Sequence, residues 1–325
     1  MEEQLVARTG VPFLGIPAGG VHGVGLLRTL KNGLRLLQGT LLAWRYLGRE
    51  RPDALLTTGG YVSGPVAVAA KLRGVPSLVF LPDIEPALSF KFAGRLAAKI
   101  ATSVEDSRRF LPADKVTVTG YPLRKEVTRW TKAAAREALA LPAEDHVLLV
   151  FGGSRGARSI NRAVLGHLPA LLQMGHLVHV SGTLDWNEVS GARSALSADL
   201  QTRYHVFPYL HEKMGAALAA ADLVVSRAGA SILGEFPYFG LPAILVPYPY
   251  AWRYQKVNAE WLAERDAAVV VEDAALPDEL VPLVARLFRD EKRRLAMGQA
   301  SRTLSCPEAA HQLAGLLLSL ERKGS

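Results

Sequence analysis

Two glycine-rich turns contain the residue types in this sequence that are best suited to bind phosphate. Residues 57–65 read TTGGYVSGP after the run DALL, and residues 152–158 read GGSRGAR after the apolar run VLLVF. A glycine turn between a buried strand and a helix lets backbone N–H groups and the positive helix end approach phosphate oxygens. Two such turns, far apart in the chain, predict two α/β halves with a phosphate-bearing substrate between them.

A third turn, residues 226–231 (SRAGAS), precedes a helix-like stretch that contains Glu235. Here the N–H groups of Ala230 and Ser231 would face phosphate, and Glu235 would accept hydrogen bonds from a ribose diol. The helix dipole alone also stabilises a carboxylate at this position, so Glu235 by itself leaves both interpretations open. In the loop and helix that follow, Gln255 and Asn258 are placed to reach the hydroxyl groups of a sugar.

The remaining polar patterns are weak. Asp83 and Glu85 form a D-x-E pair, and none of the eight histidines has the spacing of metal ligands, so the sequence predicts no metal site. Residues 19–23 (GGVHG) are similar in sequence to a catalytic glycine–histidine loop. A glycine beside a histidine does not establish a base, and a flexible loop is the simpler interpretation.

Composition favours a globular α/β protein with two domains. The chain has 325 residues, of which 49% are apolar and 21% charged, enough for two ordinary cores. The single cysteine, Cys306, is typical of a reducing compartment. The sequence offers no run of about 18 apolar residues for a spanning helix, and its acidic start is not typical of a signal peptide.

The net charge of +8 is concentrated in the first half. Residues 28–51 hold six basic residues against Glu50 alone, interleaved with leucines, and Lys91, Arg95 and Lys99 recur at helical spacing. Basic and apolar faces of this kind favour contact with an anionic membrane surface. A solvated face on a core helix is the alternative interpretation. Nucleic acid is disfavoured as a partner because no basic strand interleaved with aromatic residues is present.

Strand-like and helix-like segments alternate through the chain, which favours parallel sheets. The predicted strands are 11–16, 54–57, 77–81, 100–104, 115–118, 147–151, 177–181, 205–209, 223–226, 243–247 and 268–271. The predicted helices are 25–48, 64–72, 89–98, 157–173, 213–220, 230–238, 254–264, 278–288, 290–301 and 313–320.

The glycine turns, together with Gly-Tyr-Pro-Leu-Arg at 120–124 and Gln-Lys-Val-Asn-Ala at 255–259, occur in the order seen in a known family. The chain resembles the MurG-type UDP-GlcNAc:lipid I N-acetylglucosaminyltransferases of glycosyltransferase family 28. The resemblance implies the GT-B fold, an α/β architecture in which two Rossmann-like domains with parallel sheets face a cleft. It implies an N-terminal acceptor and membrane domain at 1–125, a linker at 126–145, a UDP-sugar domain at 146–305 and a C-terminal helix at 306–325.

The resemblance also implies the donor site. By position, the contacts to UDP-GlcNAc would fall on Asp83, Arg124, Ser154, Leu210 (through its backbone), Ala230, Ser231, Ile232, Leu233, Gly234, Glu235 and Gln255. The family uses no metal or other cofactor. Two departures are visible: the family's His-Glu-Gln-Asn segment reads Leu-Pro-Asp-Ile at 81–84, and its opening strand with a Gly-Gly-Thr-Gly-Gly-His loop is absent. The catalytic base is therefore unassigned.

The implied reaction is an inverting transfer of N-acetylglucosamine from UDP-GlcNAc to the muramoyl C4 hydroxyl of lipid I, which gives lipid II. The implied location is the cytoplasmic face of the bacterial cell membrane, as a peripheral protein. Three alternatives stay open at this point: a diacylglycerol-type lipid glycosyltransferase, a UDP-sugar-binding membrane protein without turnover, and a nucleotide-sugar epimerase.

Overall fold

The computed structural model describes residues 6, 10–19, 26–153, 156–250 and 253–320, with side chains in the first helix from Lys31 onward. The chain divides into two compact units. Among the described residues, the first unit comprises those up to Pro82, 86–118 and 311–320, and the second comprises 83–85 and 119–310.

The first unit is built on a four-stranded parallel sheet in the order β1-β2-β3-β4. Its strands are β1 (Leu55–Thr57), β2 (Ser77–Leu81), β3 (Lys99–Thr102) and β4 (Val116–Val118), and its helices are α1 (Leu26–Glu50), α2 (Ser63–Arg73) and α3 (Leu88–Leu96). β2 is buried along its whole length. This burial on both faces explains its run of four apolar residues at 78–81, as expected for a parallel strand.

The second unit is built on a six-stranded parallel sheet in the order β10-β9-β8-β5-β6-β7. Its strands are β5 (Val147–Phe151), β6 (His176–Val180), β7 (Tyr204–Phe207), β8 (Leu223–Ser226), β9 (Ala243–Leu245) and β10 (Ala268–Val270). Counted from β5, this is the order 3-2-1-4-5-6 of a doubly wound Rossmann sheet. The chain order reverses between β5 and β8, which pair directly from Leu148 to Phe151 and from Leu223 to Ser226.

The helices of the second unit cover both faces of this sheet. They are α4 (Lys125–Thr128), α5 (Lys132–Ala138), α6 (Arg158–Gly166), α7 (Leu168–Gln173), α8 (Trp186–Ser194), α9 (Ala198–Arg203), α10 (Met214–Ala220), α11 (Ile232–Phe239), α12 (Tyr254–Ala263), α13 (Leu276–Arg289) and α14 (Glu291–Thr303); α15 (Ala309–Leu318) follows them. One apolar core joins β5 and β8 to α6 and α13 through Leu148, Ile160, Leu223 and Leu280.

The structure differs from the predicted strands and helices in several places. The strand predicted at 11–16 is wrong: residues 11–19 form neither strand nor helix, and Val11 and Phe13 are exposed. Pro12 and Pro17 each lack the N–H group that a strand contributes to its ladder. The stretch 126–145 holds two helices, α4 and α5, and both contact α10. The predicted helix at 157–173 is two helices, since α6 ends at Gly166 and α7 begins at Leu168.

Candidate functional site

Two of the three glycine turns lie at the carboxyl ends of neighbouring strands in the second unit. One, residues 152–157, follows β5, and the other, residues 227–231, follows β8. In doubly wound sheets, ligands bind outside the carboxyl ends of the strands at the point where the strand order reverses. This edge of the six-stranded sheet is therefore the candidate site.

The turn after β5 has a backbone that only glycine adopts readily. Gly153 and Gly156 have φ angles of +90° and +79°, and the Gly156 N–H donates to the Gly153 carbonyl over 3.0 Å. A Cβ atom on Gly156 would overlap the Ser181 carbonyl oxygen. The turn therefore brings the start of α6, at Arg158, close to the end of β5. Ser154, expected to hold phosphate, lies outside the described residues.

A buried polar network supports the start of α6. Asp185 accepts hydrogen bonds from Arg158 Nε (3.0 Å) and from Asn161 Nδ2 (2.8 Å). Because Asn161 donates through Nδ2, its Oδ1 accepts from His179 Nε2 (2.9 Å), and His179 Nδ1 accepts from the Tyr204 hydroxyl (2.8 Å). Burial lowers the pKa of His179 to about 3, so this imidazole is neutral and acts in packing and orientation.

The turn after β8 is held by a nearly buried arginine. Arg227 Nη2 donates to Ser159 Oγ over 2.7 Å, Nη1 donates to the Val246 carbonyl over 3.1 Å, and the guanidinium forms an ion pair with Asp273. Ser159 in turn donates to Asp273 over 2.8 Å. This cluster ties the turn to α6 and to the segment after β10. The Arg227 guanidinium is thus paired with groups of the protein itself.

Glu235 lies in the first turn of α11, which begins at Ile232. Burial raises the pKa of Glu235, whereas a hydrogen bond with Ser231 and the charge of Arg124 oppose that shift. Nearby, burial and the charges of Glu235 and Asp83 raise the pKa of Tyr121 to about 12, although Arg124 opposes this shift. Tyr121 therefore lies within electrostatic reach of Glu235, Asp83 and Arg124.

Asp83 is connected to the turn after β8 through Asn258. The fully buried Asn258 donates through Nδ2 to Asp83 Oδ1 (2.9 Å) and to the Ala228 carbonyl (3.1 Å). Burial raises the pKa of Asp83, and the hydrogen bond from Asn258 opposes the shift. On the same helix, Gln255 Oε1 accepts from the Tyr248 N–H over 2.9 Å, so part of its side chain is engaged within the protein.

Two family models match this sequence. The glycosyltransferase family 28 C-terminal domain matches residues 147–313, and the glycosyltransferase family 28 N-terminal domain matches residues 1–102. The C-terminal match covers more than half of the chain.

The chain belongs to glycosyltransferase family 28.

Two relatives of this chain carry the same name. The chain is 43% identical to the UDP-N-acetylglucosamine--N-acetylmuramyl-(pentapeptide) pyrophosphoryl-undecaprenol N-acetylglucosamine transferase of Roseiflexus sp. (strain RS-1), over 98% of this chain and 81% of that protein. It is 38% identical to the protein of the same name from Desulforudis audaxviator (strain MP104C), over 100% and 89%. The crystal structure of Acinetobacter baumannii MurG superposes with a TM-score of 0.75 at 25% identity, covering 98% of this chain and 88% of that one. The α/β class with two parallel sheets of the GT-B type, expected from the sequence, is confirmed.

In this family 28 chain, most of the predicted site residues lie near the turn after β8, and Leu210 lies farther along the sheet. Ala230 and Ser231 belong to the turn after β8, and Glu235 belongs to the first turn of α11. Asp83 is connected to this turn through Asn258, and the charge of Arg124 acts on Glu235. Ile232, Leu233 and Gly234 belong to the first turn of α11, where their N–H groups donate to the carbonyls of residues 229–231. Leu210 follows β7, two strands away from β5, and its carbonyl accepts the Lys213 N–H over 2.7 Å.

Other site residues did not stand out in the sequence. Asp273 is 46 positions from Arg227, and no motif links the two. Residues 20–23 of the predicted glycine–histidine loop lie outside the described residues. In the described ranges, no group of three or more His, Cys, Asp or Glu side chains has the arrangement of a metal site.

Proposed function

We propose that this chain transfers N-acetylglucosamine from UDP-GlcNAc to the C4 hydroxyl of the N-acetylmuramoyl unit of lipid I, with inversion, to give lipid II. The observation that carries this proposal is the pair of turns after β5 and β8, on adjacent strands, in a family 28 chain whose relatives bear that enzyme's name. The same relatives do not favour a diacylglycerol glycosyltransferase, a binding protein without turnover or an epimerase.

The donor lies along the carboxyl edge of the six-stranded sheet. Backbone N–H groups of the two turns, with the Ser154 hydroxyl, hold the diphosphate, and the Leu210 backbone contacts the uracil. Glu235 accepts hydrogen bonds from the ribose diol. Gln255 binds a hydroxyl of the sugar, using the part of its amide that Tyr248 does not engage.

UDP leaves without the help of a metal or another cofactor. Negative charge develops on the β-phosphate as the C1–oxygen bond breaks, and positive helix ends aimed at that charge stabilise it. The starts of α6 and α11 and the exposed guanidinium of Arg124 supply this stabilisation. Arg227 does not take part, because its guanidinium is engaged by Asp273, Ser159 and the Val246 carbonyl.

The first unit docks on an anionic membrane, where the lipid-linked acceptor resides. Leu34, Leu37, Leu41 and Trp44 recur at three- and four-residue spacing on α1 and are 57%, 58%, 56% and 40% exposed. Such spacing places them on one helix face, and the exposed Lys31, Arg35 and Arg45 accompany them. An apolar face flanked by basic residues binds in the interface of an anionic membrane. In the described part of the chain, every helix is too short or too polar to span a bilayer.

This docking puts the protein at the cytoplasmic face of the bacterial cell membrane as a peripheral protein. The cytoplasmic leaflet carries anionic lipids, which attract basic segments by about 1 kcal/mol per residue near the surface. The basic residues of α1 therefore have a lipid partner, and no nucleic acid is needed to account for them.

Transfer of radiolabelled GlcNAc to lipid I tests the reaction. We expect labelled lipid II with wild type and an unchanged rate in excess EDTA, whereas a strict dependence on added Mg²⁺ would contradict the leaving-group proposal. Glu235→Gln should raise the KM for UDP-GlcNAc about tenfold, since a hydrogen bond to a charged group is worth roughly 1.5–3 kcal/mol. Glu264→Gln, at a side chain that is 73% exposed, is the matched control.

The other possible products separate the alternatives. Label in diacylglycerol but not in lipid I would favour the second type of lipid transferase. UDP-dependent thermal stabilisation with no transfer to either acceptor would instead indicate a binding protein. An altered soluble sugar nucleotide formed without acceptor would indicate an epimerase.

A further inference from the structure

Asn258 is a fully buried amide whose hydrogen bonds hold one carboxylate in place. Its Nδ2 donates to Asp83 Oδ1 and to the Ala228 carbonyl, and its Oδ1 accepts the Ile84 N–H over 3.2 Å. Both amide protons and the carbonyl oxygen are therefore engaged. Because Ala228 belongs to the turn after β8, Asp83 is fixed relative to the proposed donor site. A buried amide with complete hydrogen bonding holds its partners in a single geometry.

The other carboxylates at this edge are already engaged. Asp273 is paired with Arg227 and Asp185 with Arg158, whereas Glu235, whose pKa burial raises, bonds to Ser231 and is assigned to the ribose diol. A nearby cation favours the ionised carboxylate and makes it a weaker base.

Asp83 is different, because its hydrogen-bond partner is a neutral amide. Within the described ranges, no lysine or arginine pairs with Asp83, and its hydrogen bond engages Oδ1 rather than Oδ2.

We propose that Asp83 is the general base of the transfer, with Asn258 as its positioning residue. The inference rests on the proposed function. Oδ2 of Asp83 takes the proton from the acceptor C4 hydroxyl while that oxygen bonds to C1 of GlcNAc. The C1–oxygen bond to the β-phosphate breaks at the same time, and its electron pair leaves with UDP. The proton thus ends on Asp83 and the negative charge on UDP.

The surroundings of Asp83 suit this role. Burial raises its pKa, and the Asn258 hydrogen bond opposes that rise, so the carboxylate is a stronger base than an exposed aspartate. The titratable groups that face it are the phenols of Tyr121 and Tyr254. The charge of Glu85 acts on Tyr254, and Glu85 itself pairs with Arg253 over 3.8 Å. The charges of Glu235 and Arg124 act on Tyr121. The rate should therefore rise with pH through the pKa of Asp83.

Kinetics of Asp83→Asn against pH test the assignment. With UDP-GlcNAc and lipid I, we expect kcat to fall about 10²–10⁴-fold, the usual contribution of a general base. The Kd for UDP should change less than threefold, and the acidic limb of the plot of kcat against pH should disappear. Asn258→Ser should shift that limb to higher pH, because the donor that stabilises the ionised carboxylate is lost.

Glu85→Gln is the matched control, since it removes the neighbouring carboxylate of the same segment. We expect it to stay within threefold of wild type and to keep the acidic limb. Equal losses in the two variants, a higher KM with unchanged kcat in Asp83→Asn, or an intact acidic limb in that variant would overturn the assignment. If wild type itself makes no lipid II, the proposed function fails; if wild type is active and Asp83→Asn matches it, only the base assignment fails.

Discussion

Tyr121 lies directly against the α-carbon of Gly234, in the first turn of α11. A Cβ atom on Gly234 would come within 2.8 Å of Tyr121 Cβ and 2.9 Å of Tyr121 Cδ1. Cβ atoms in real proteins essentially never make contacts that short. The φ angle of Gly234 is not positive, so the glycine supplies space rather than an unusual backbone. This space lets the segment with Tyr121 and Arg124 pack on the helix start that faces the proposed donor.

Gly234→Ala should therefore weaken nucleotide binding. The added methyl group must displace Tyr121 and with it Arg124, so we expect the Kd for UDP to rise at least tenfold. The free energy of unfolding should fall by about 1–3 kcal/mol, the usual cost of overpacking. Titration calorimetry and urea unfolding measure the two effects. Gly191→Ala on α8 is the control, since its Cβ would meet nothing within 4 Å. Unchanged UDP binding in Gly234→Ala would contradict this account.

The ion pair between Arg227 and Asp273 should contribute to both stability and donor binding. The Arg227 side chain is only 10% exposed, so Asp273→Asn leaves a nearly buried cation without its counter-ion. We expect a loss of about 3–5 kcal/mol in the free energy of unfolding, together with weaker UDP binding.

Asp266→Asn provides the comparison for this prediction. Asp266 pairs with Arg293 over 3.1 Å, but its side chain is 74% exposed. An exposed pair of this kind contributes at most about 1 kcal/mol, so the variant should unfold nearly as wild type does. Similar losses in the two aspartate variants would show that burial of the Arg227 pair is energetically unimportant.

Strands and most helices of this chain were predictable because apolar runs and glycine turns mark them. The bounds predicted for β2, β5 and β8 are those of the structure, since each strand is buried and flanked by a break in the apolar pattern. α8 and α9 were missed because they are short and bury little; Val189 is the buried residue of α8, and α9 has none. A helix that buries few residues has no clear apolar periodicity in its sequence, so the sequence does not predict it.

The candidate site was predictable only where its residues are close together in the sequence. The turn after β8 and Glu235 are close in sequence, so their positions follow from the strand–turn–helix pattern. The contact between Asn258 and Asp83 spans 175 positions, and that between Ser159 and Asp273 spans 114. Such contacts depend on strand order and helix packing, which a single sequence does not reveal.

The buried His179 should make the protein less stable in acid. In the folded protein burial holds its pKa near 3, whereas the unfolded side chain titrates at its ordinary value of 6.5. Between these values the unfolded state binds a proton that the folded state does not, so the free energy of unfolding falls as pH decreases. The contribution approaches about 1.4 kcal/mol per pH unit below the unfolded value.

Urea unfolding at pH 7 and pH 5 measures this contribution. The decrease between the two values should be smaller in His179→Gln than in wild type by roughly 2 kcal/mol, even though the variant is less stable at both. His211→Gln, at an exposed side chain, should keep the wild-type decrease. Parallel decreases in wild type and His179→Gln would show that His179 is not the group responsible.

Binding of the first unit to lipid should depend on the apolar face of α1. Leu37 and Leu41 are 58% and 56% exposed, one helical turn apart, and lie beside basic residues. Replacing Leu37 with glutamate removes apolar area from this face and adds one negative charge that an anionic surface repels. We expect binding to phosphatidylglycerol vesicles, measured by sedimentation, to fall at least tenfold.

The control for this experiment is a leucine-to-glutamate substitution outside α1. Leu72 on α2 is 69% exposed, more than either leucine of α1, so Leu72→Glu adds the same charge at an equally accessible apolar site. If α1 forms the docking face, Leu72→Glu retains most of the binding, and added salt weakens wild type because the basic residues act through charge. Equal losses in the two variants would mean that net charge alone governs attraction to lipid, and the assignment of the face to α1 would be wrong.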